Sequence, residues 1–471
     1  MMVGKPVFLI TDLLIFGLVF VIIVFFMYAM RKPHLRQPWR QVVRNKAGVI
    51  SMMVLLVYIS IAILDSMHFH PTIENSSVDD ETQYNGEIQS VFDQIVAEVR
   101  NSTEKTYSAP FAARLFAKET VQLEDGKKLR EYPRLTWGGA HLGNPEYEKS
   151  ADIFKLAITG IIKAFITWLI LLVLLCLILS VRAKKSFSNT MKIIACGESD
   201  VPWRTIATTF AILLLVLLVG AEWATKYHVL GTDKVGEDVL YQALKSIRTG
   251  VVIGTLTTLL MLPFAITLGI MAGYFRGWID DVIQYLYTTL NSIPGVLLIA
   301  AAVLMLNVYM GKHAEEFASL TQRADLRLLF LCLILGLTSW TGLCRLLRAE
   351  TLKLREVDFV QAASAFGVGS TQTIFRHILP NMMHIILITI VLDFSGLVLA
   401  EAVLSYINIG VDPTMNSWGN MINSARLEMA REPVVWWSLA ASLFFMFTLV
   451  LFANLFADVV RDALDPRIAK Q

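Results

Sequence analysis

Long apolar runs separated by short polar stretches dominate the chain. Nine of them, near 7–30, 47–64, 156–181, 205–222, 251–273, 282–307, 328–347, 383–407 and 434–457, are long enough to cross a bilayer as helices, which takes roughly 20 residues each. The pattern predicts an all-α polytopic membrane protein. One polar stretch is too long to be a turn. Residues 65–155 carry mixed charge, yet Ile88, Val91, Phe92, Ile95 and Val96 fall at helical spacing. A small external domain with at least one amphipathic helix is expected there.

A second polar stretch, DFVQAASAFGVGSTQTIFRHILPN from Asp358 to Asn381, lies between two apolar runs. Asp358 and Gln361 are spaced as a capping box that opens a helix. Phe359, Ala362, Ala363 and Phe366 then share one face, and Gly367 stands where a helix takes a left-handed residue. Ser370 is placed to cap a second short helix carrying Ile374, Phe375 and Ile378, which Pro380 ends. The small pair Ala362 and Ala363 leaves room for close approach. Such a hairpin is either a docking element for a soluble partner or an amphipathic loop lying on the membrane.

Composition sharpens the class. Of 471 residues, 55% are hydrophobic and 17% charged, which argues against a soluble enzyme, and a net charge of +2 gives no pointer to nucleic acid. The cations are grouped: RKPHLRQPWRQVVRNK at 31–46 and RAKKSFSNTMKIIACGESDVPWR at 182–204 are densely basic. The positive-inside rule puts both in the cytoplasm. That threading leaves the N-terminus and 65–155 outside, and the 358–381 hairpin and the C-terminal RDALDPRIAKQ inside. Cys176, Cys196, Cys332 and Cys344 show neither a disulfide framework nor zinc spacing. The run 7–30 is long for a cleavable signal and no small-residue cleavage site follows it. Asn75-Ser76-Ser77 and Asn101-Ser102-Thr103 match glycosylation sequons, but such short matches are common by chance.

The hairpin also resembles the Glu-Ala-Ala loop of ABC importer permeases. Here it reads Gln361-Ala362-Ala363, Ser364-Ala365-Phe366, Gly367 and later His377-Ile378-Leu379-Pro380-Asn381, an ending similar to that of the oligopeptide/dipeptide permease C family. Other family-like pieces follow in order. They are His228-Val229-Leu230-Gly231-Thr232-Asp233, Gly236-Glu237-Asp238-Val239-Leu240, and Ala272-Gly273-Tyr274-Phe275 with Gly277-Trp278-Ile279-Asp280. Then come Ala400-Glu401-Ala402-Val403-Leu404-Ser405-Tyr406, Ser417-Trp418-Gly419-Asn420-Met421 and the closing Arg461-Asp462-Ala463-Leu464-Asp465-Pro466-Arg467. The resemblance covers about 228–468, and Arg44-Asn45-Lys46 with the span after it is similar to the family's first span. Two departures are Glu237 in place of Arg and Gln361 in place of Glu. The second puts in doubt any ion pair to a partner at that position.

The resemblance implies a type I ABC importer permease core in a bacterial inner membrane. It divides the chain into an added span and basic loop (1–46), a first family-like span (47–64), the external insert (65–155), two added spans (156–222) and the core (223–471). It also implies that the coupling loop, 358–380, meets an ATPase through Asp358, Gln361, Ala362, Ala363, Gly367, His377, Leu379 and Pro380. The implied partners are a second permease, two ATP-binding cassette subunits, an external solute-binding protein and the lipid bilayer, with no nucleic acid. Peptides are the implied cargo. ATP and Mg belong to the ATPase subunits. This chain has no phosphate loop, His-Glu-x-x-His, nucleophile elbow or Cys/His cluster, so no catalytic, metal or cofactor site of its own is expected.

Two carboxylates, Asp393 and Glu401, fall inside the span 383–407. A carboxylate at the bilayer centre costs roughly 2.5–3.5 kcal/mol, so both should face protein or water. Eight residues apart, they project at ~80° to one another. Asp393 either lines a translocation path and attracts a peptide amine, or makes an interhelical hydrogen bond or a pair with a partner subunit. Glu401 suits a structural or gating role. A self-sufficient secondary transporter or channel using this pair is the alternative to an ABC permease, and no inverted repeat supports it. Pro263 and Pro294 lie inside spans and predict kinks, static or hinge-like. The external stretch 408–433, with Ser417, Trp418 and Asn420, resembles the family's re-entrant segment near the substrate exit. An interfacial helix anchored by Trp418, Trp436 and Trp437 fits the same pattern.

Overall fold

The computed structural model describes residues 4–72, 84, 86–122, 128–184, 186–196, 201–313, 315 and 319–464. The sequon at Asn75, part of the second basic loop and the closing Asp465-Pro466-Arg467 fall outside them. In chain order the first helices are α1 (Ile10–Arg31), α2 (Pro33–Arg44), α3 (Lys46–Asp65), α4 (Val91–Ile95), α5 (Ala97–Asn101), α6 (Pro145–Ala183), α7 (Phe187–Cys196) and α8 (Trp203–Ala224). Then come α9 (Val239–Phe275), α10 (Trp278–Ser292), α11 (Gly295–Lys312), α12 (Leu320–Arg355), α13 (Asp358–Ala365) and α14 (Ser370–Thr373). A π-helical turn, Ile374–Ile378, leads into α15 (Leu379–Tyr406), followed by α16 (Trp418–Glu428) and α17 (Trp437–Leu464). Among the described residues, nine helices are long and apolar enough to cross a membrane.

One predicted span is not a single helix. The run 282–307 is divided into α10 and α11 by Ile293 and Pro294, whose ψ angles of 127° and 116° are extended. Pro294 is therefore not a kink inside a helix but the residue that opens a new one. Its missing N–H and its effect on the residue before it favour a break there. Pro263, by contrast, stays inside α9.

The chain forms two compact units. The first comprises Met1–Pro6, Trp39–Arg248 and Asn416–Phe452. In it, α6 and α8 run antiparallel, with the Trp168 indole donating to the Ala207 carbonyl and Trp223 to that of Ile153. The insert contributes β2 (His68–Pro71) and β3 (Gln89–Ser90), which join the N-terminal β1 (Gly4–Val7) in the spatial order β1-β2-β3, and a hairpin of β4 (Glu119–Gln122) with β5 (Lys128–Glu131). The expected amphipathic helix is two short ones, α4 and α5, with Ser90 and Asp93 forming a reciprocal capping box at the start of α4.

Backbone hydrogen bonds zip the insert onto residues 226–239. Glu104 N–H donates to Gly236 O at 2.9 Å, Phe111 to His228 O at 2.9 Å and Gly139 to Lys226 O at 2.9 Å, while Thr232 donates to Ser108 O at 3.1 Å. Gly236 has φ +85°, and a Cβ there would stand 1.8 Å from Glu104 O. Two late tryptophans close the unit. Trp418 donates to Ala243 O at 3.0 Å and Trp437 to Thr232 O at 2.9 Å. Both are buried, against the expected interfacial anchoring by Trp418 and Trp437, while Trp436 is 55% exposed.

The second unit comprises Val7–Pro38, Thr249–Met415 and Ala453–Gln471. One apolar core joins Val252 and Leu256 of α9, Val303 of α11, Leu328 and Leu335 of α12, and Leu397 of α15. Another joins Met261 and Ala265 to Tyr287, Leu347, Ile378 and Met382. Gly269 and Gly273 let α9 lie against α12: a Cβ would be 2.8 Å from Cys344 O at the first and 2.7 Å from Arg348 O at the second. Small residues four apart are the usual means of close helix approach in lipid, where apolar burial gives no net drive. Cys176, Cys332 and Cys344 are free thiols, and the Cys196 side chain lies outside the described residues.

Candidate functional site

The hairpin 358–380 hangs from the end of α12. Its first helix does not open with the expected capping box. Val357 is the N-cap and makes no side-chain cap, and Asp358 is already the first helical residue. Gln361 instead turns back and donates to Glu356 O at 3.2 Å and Glu356 Oε2 at 3.4 Å. A neutral amide can donate to that carboxylate where a Glu would repel it. Gly367 follows α13 with φ +78° and open space around its α-carbon. Val368 N–H then reaches Ala363 O at 3.0 Å, a left-handed helix end of the usual kind.

The second half departs further from expectation. Gly369, not Ser370, occupies the N-cap position of α14, again without a side-chain bond. Pro380 does not end the helix. The chain passes from α14 through the π turn into α15 with Pro380 in the first turn of α15. The wider π turn lets Leu379 N–H bond Ile374 O five residues back, and Pro380 falls in the first turn of α15, where a proline is tolerated. Asn381 Nδ2 donates to His377 O at 2.6 Å, so this carbonyl has a side-chain donor.

The hairpin shows a hydrophobic surface. Phe366 is 87% exposed, Phe375 65% and Phe359 45%, whereas Val360 and Ile378 are buried. Ala362 is exposed beside them, Ala363, His377 and Leu379 are half-buried, and Gln361 and Pro380 are exposed. The His377 ring lies 6.0 Å from the Phe359 ring, tying the two halves together. Three exposed phenylalanines on a polar segment make an apolar patch of the kind that marks protein or membrane contact.

Ionic ties that the sequence reading missed hold the base of the hairpin. Arg355 donates to Tyr274 O at 2.7 Å, Arg276 pairs with Glu356 at 2.6 Å, and Arg348 takes both carboxylate oxygens of Asp280. The signal was present as cations at the end of the α12 run and an Asp in the Gly277–Asp280 turn.

The two intramembrane carboxylates are not brought together. Glu401 is buried and accepts from Ser405 Oγ at 2.7 Å. Asp393 is half-buried on the same helix, and among the described residues it has neither a hydrogen bond nor an ion pair. Of the external-loop residues, Ser417 caps α16 by accepting from Asn420 N–H at 3.0 Å, and Trp418 is buried. Among the described residues no group of three or more His, Cys, Asp or Glu side chains could hold a metal.

Residues 265–470 match the family model described as binding-protein-dependent transport system inner membrane component. The oligopeptide transport system permease protein OppC of Mycobacterium tuberculosis is 30% identical over 239 residues, 51% of this chain and 76% of that protein. The glutathione transport system permease protein GsiD of Pectobacterium atrosepticum is 27% identical over 315 residues, covering 60% of this chain and 98% of that protein. The dipeptide transport system permease protein DppC of Lactococcus lactis is 29% identical over 243 residues, 52% of this chain and 65% of that protein.

Proposed function

We propose, from the premise that this chain belongs to the oligopeptide/dipeptide permease family of binding-protein-dependent inner-membrane components, that it is one permease subunit of an ATP-driven peptide importer. Its partners are a second permease, two ATP-binding cassette subunits that use ATP and Mg, and an external solute-binding protein. The basic segments 31–46 and 182–204, the hairpin and the C-terminus face the cytoplasm; the N-terminus and the insert face outward. The insert adds contact surface for the binding protein or the second permease. ATP closes the ATPase pair, the hairpin 358–380 moves with it, and the spans change which side of the membrane they open to. Such coupling requires that the hairpin contact the ATPase differently in the two states.

The observation that carries this reading is the exposed phenylalanine surface of the hairpin, turned at Gly367. Asp393, half-buried and without a partner among the described residues, lines the path and takes a peptide's ammonium group; Glu401, held by Ser405, keeps the end of α15 in shape. Affinity purification of the tagged chain in mild detergent tests the reading, with mass spectrometry of what accompanies it. Two Walker-motif ATPases and a second permease should be recovered. With Gly367→Val, which forces a β-branched residue to φ > 0, the ATPases should be lost while membrane insertion stays normal. Recovery of the chain alone from the unsubstituted protein would refute the importer reading.

A further inference from the structure

Helix α12 runs directly into the hairpin, and its last turns are fastened to α10 along most of that helix. Thr341 Oγ1 donates to Asn291 Oδ1 at 3.1 Å, and the Arg345 guanidinium lies 5.9 Å from the centre of the Tyr287 ring. Arg348 Nε and Nη2 donate to the two oxygens of Asp280 at 2.6 and 2.7 Å. Positions 280, 287 and 291 share one face of α10, as 341, 345 and 348 do of α12. The far end of α10 is joined differently. There the chain leaves the helix through the extended pair Ile293 and Pro294, and residues 291–297 are exposed. Helix α10 is thus bonded sideways to α12 and connected to α11 by a two-residue joint.

We infer that the Arg348–Asp280 pair is the strut that carries hairpin displacement into α10, which turns against α11 at Ile293–Pro294. The inference rests on the hairpin being the ATPase contact. Two parallel N–H···O bonds fix angle as well as distance, so the pair transmits a tilt that a single contact would lose. A lysine at 348 keeps the charge but not the fork. Arg348 and Asp280 are positioning residues, because they act through α10.

The test uses the whole complex, purified through the tagged chain, and needs no knowledge of the cargo. Spin labels are placed through Tyr285→Cys on α10 and Met305→Cys on α11, positions 72% and 73% exposed. The distance between them is measured without nucleotide and after incubation with ATP, Mg and vanadate, which traps ADP in the closed ATPase pair. A change of about 2 Å or more is expected, the scale of helix shifts in switching proteins. It should vanish in Asp280→Asn and Arg348→Lys and return in the exchange Asp280→Arg with Arg348→Asp, while ATPase recovery and ATP hydrolysis persist. A static ion pair would leave the nucleotide response intact. An unchanged response in Asp280→Asn, or no response in the unsubstituted complex, overturns the strut while leaving the hairpin reading standing. Should Asp280→Asn fail to insert, Arg348→Lys decides. Absence of ATPases from the unsubstituted preparation removes the hairpin reading and the strut together.

Discussion

Replacing His228 by glutamine removes a cation set between two buried carboxylates. His228 Nδ1 is 2.7 Å from Asp238 Oδ2, and its Nε2 is 3.5 Å from Glu104 Oε1, an ion-pair distance without a hydrogen bond. Burial alone would push the imidazolium pKa down, but the two carboxylates outweigh it and raise it to about 9. Glu104 is likewise pushed up by burial and pulled down further by His228 and the N–H groups of Thr136, Trp137 and Gly138, ending at about 2. For a raised histidine the stabilisation is complete below the unfolded value near 6.5 and is lost as pH climbs through 9. At about 1.4 kcal/mol per unit, the full contribution is about 3 kcal/mol. For Glu104 the sign is opposite, with stabilisation present above 4.5 and lost as pH falls through 2. Tryptophan-monitored unfolding in detergent, at about pH 6 and about pH 10, should show the unsubstituted protein weakening with alkalinity. His228→Gln should be weaker by about 3–5 kcal/mol at the lower pH, because it leaves buried charge uncompensated, and its alkaline decline should be smaller. Parallel pH profiles for the two proteins would refute the assignment of His228 as a buried imidazolium.

Three further outcomes follow from the packing. Gly236→Ala places a methyl on the Glu104 carbonyl and adds about 1–2 kcal/mol of left-handed strain, so trypsin should cut within 104–139 in the variant at concentrations that spare the parent. Asp93→Asn weakens the grip of Lys245, whose Nζ is 2.6 Å from Asp93 Oδ2; a loss of about 2 kcal/mol is expected, and an unchanged denaturant midpoint would count against it. Gly273→Val forces α9 from α12, so maleimide labelling of the buried Cys344 should accelerate in membranes; equal labelling rates would show that the helices do not rely on that close approach.

Element types were legible because they follow from local rules. Lipid demands continuous apolar helices, so each predicted span coincided with a helix except 282–307. There, mean apolarity concealed a helix boundary that Pro294 alone announced. Gly367 was legible for a similar reason: a helix end with positive φ leaves few residue choices. The caps were misread because Asp358 and Ser370 satisfy the spacing of capping residues equally well at N-cap or one position later, and only tertiary placement of Val357 and Gly369 decides. Continuation of the helix through Pro380 follows a π turn that no sequence period reveals. The ion pairs Arg348–Asp280 and His228–Asp238–Glu104 join residues distant in sequence or hidden within motifs, and charge alone does not name its partner. Trp418 and Trp437 looked like interfacial anchors since an indole suits either setting; the carbonyls of Ala243 and Thr232 determine which one it takes.

The seating of these two indoles has a bearing on biosynthesis. The acceptors at Thr232 and Ala243 belong to the middle of the chain, whereas the donors leave the ribosome some 200 residues later. Until then the insert can pair with 226–239, but its unit lacks the residues 416–452 that complete it. A polypeptide stopped after Met415 would carry every piece of the insert and still leave both carbonyls uncapped. Resistance of the insert to added protease is therefore expected to rise only once residues 416–452 have joined the unit, and an equally resistant insert in the chain stopped after Met415 would show that it is complete without them.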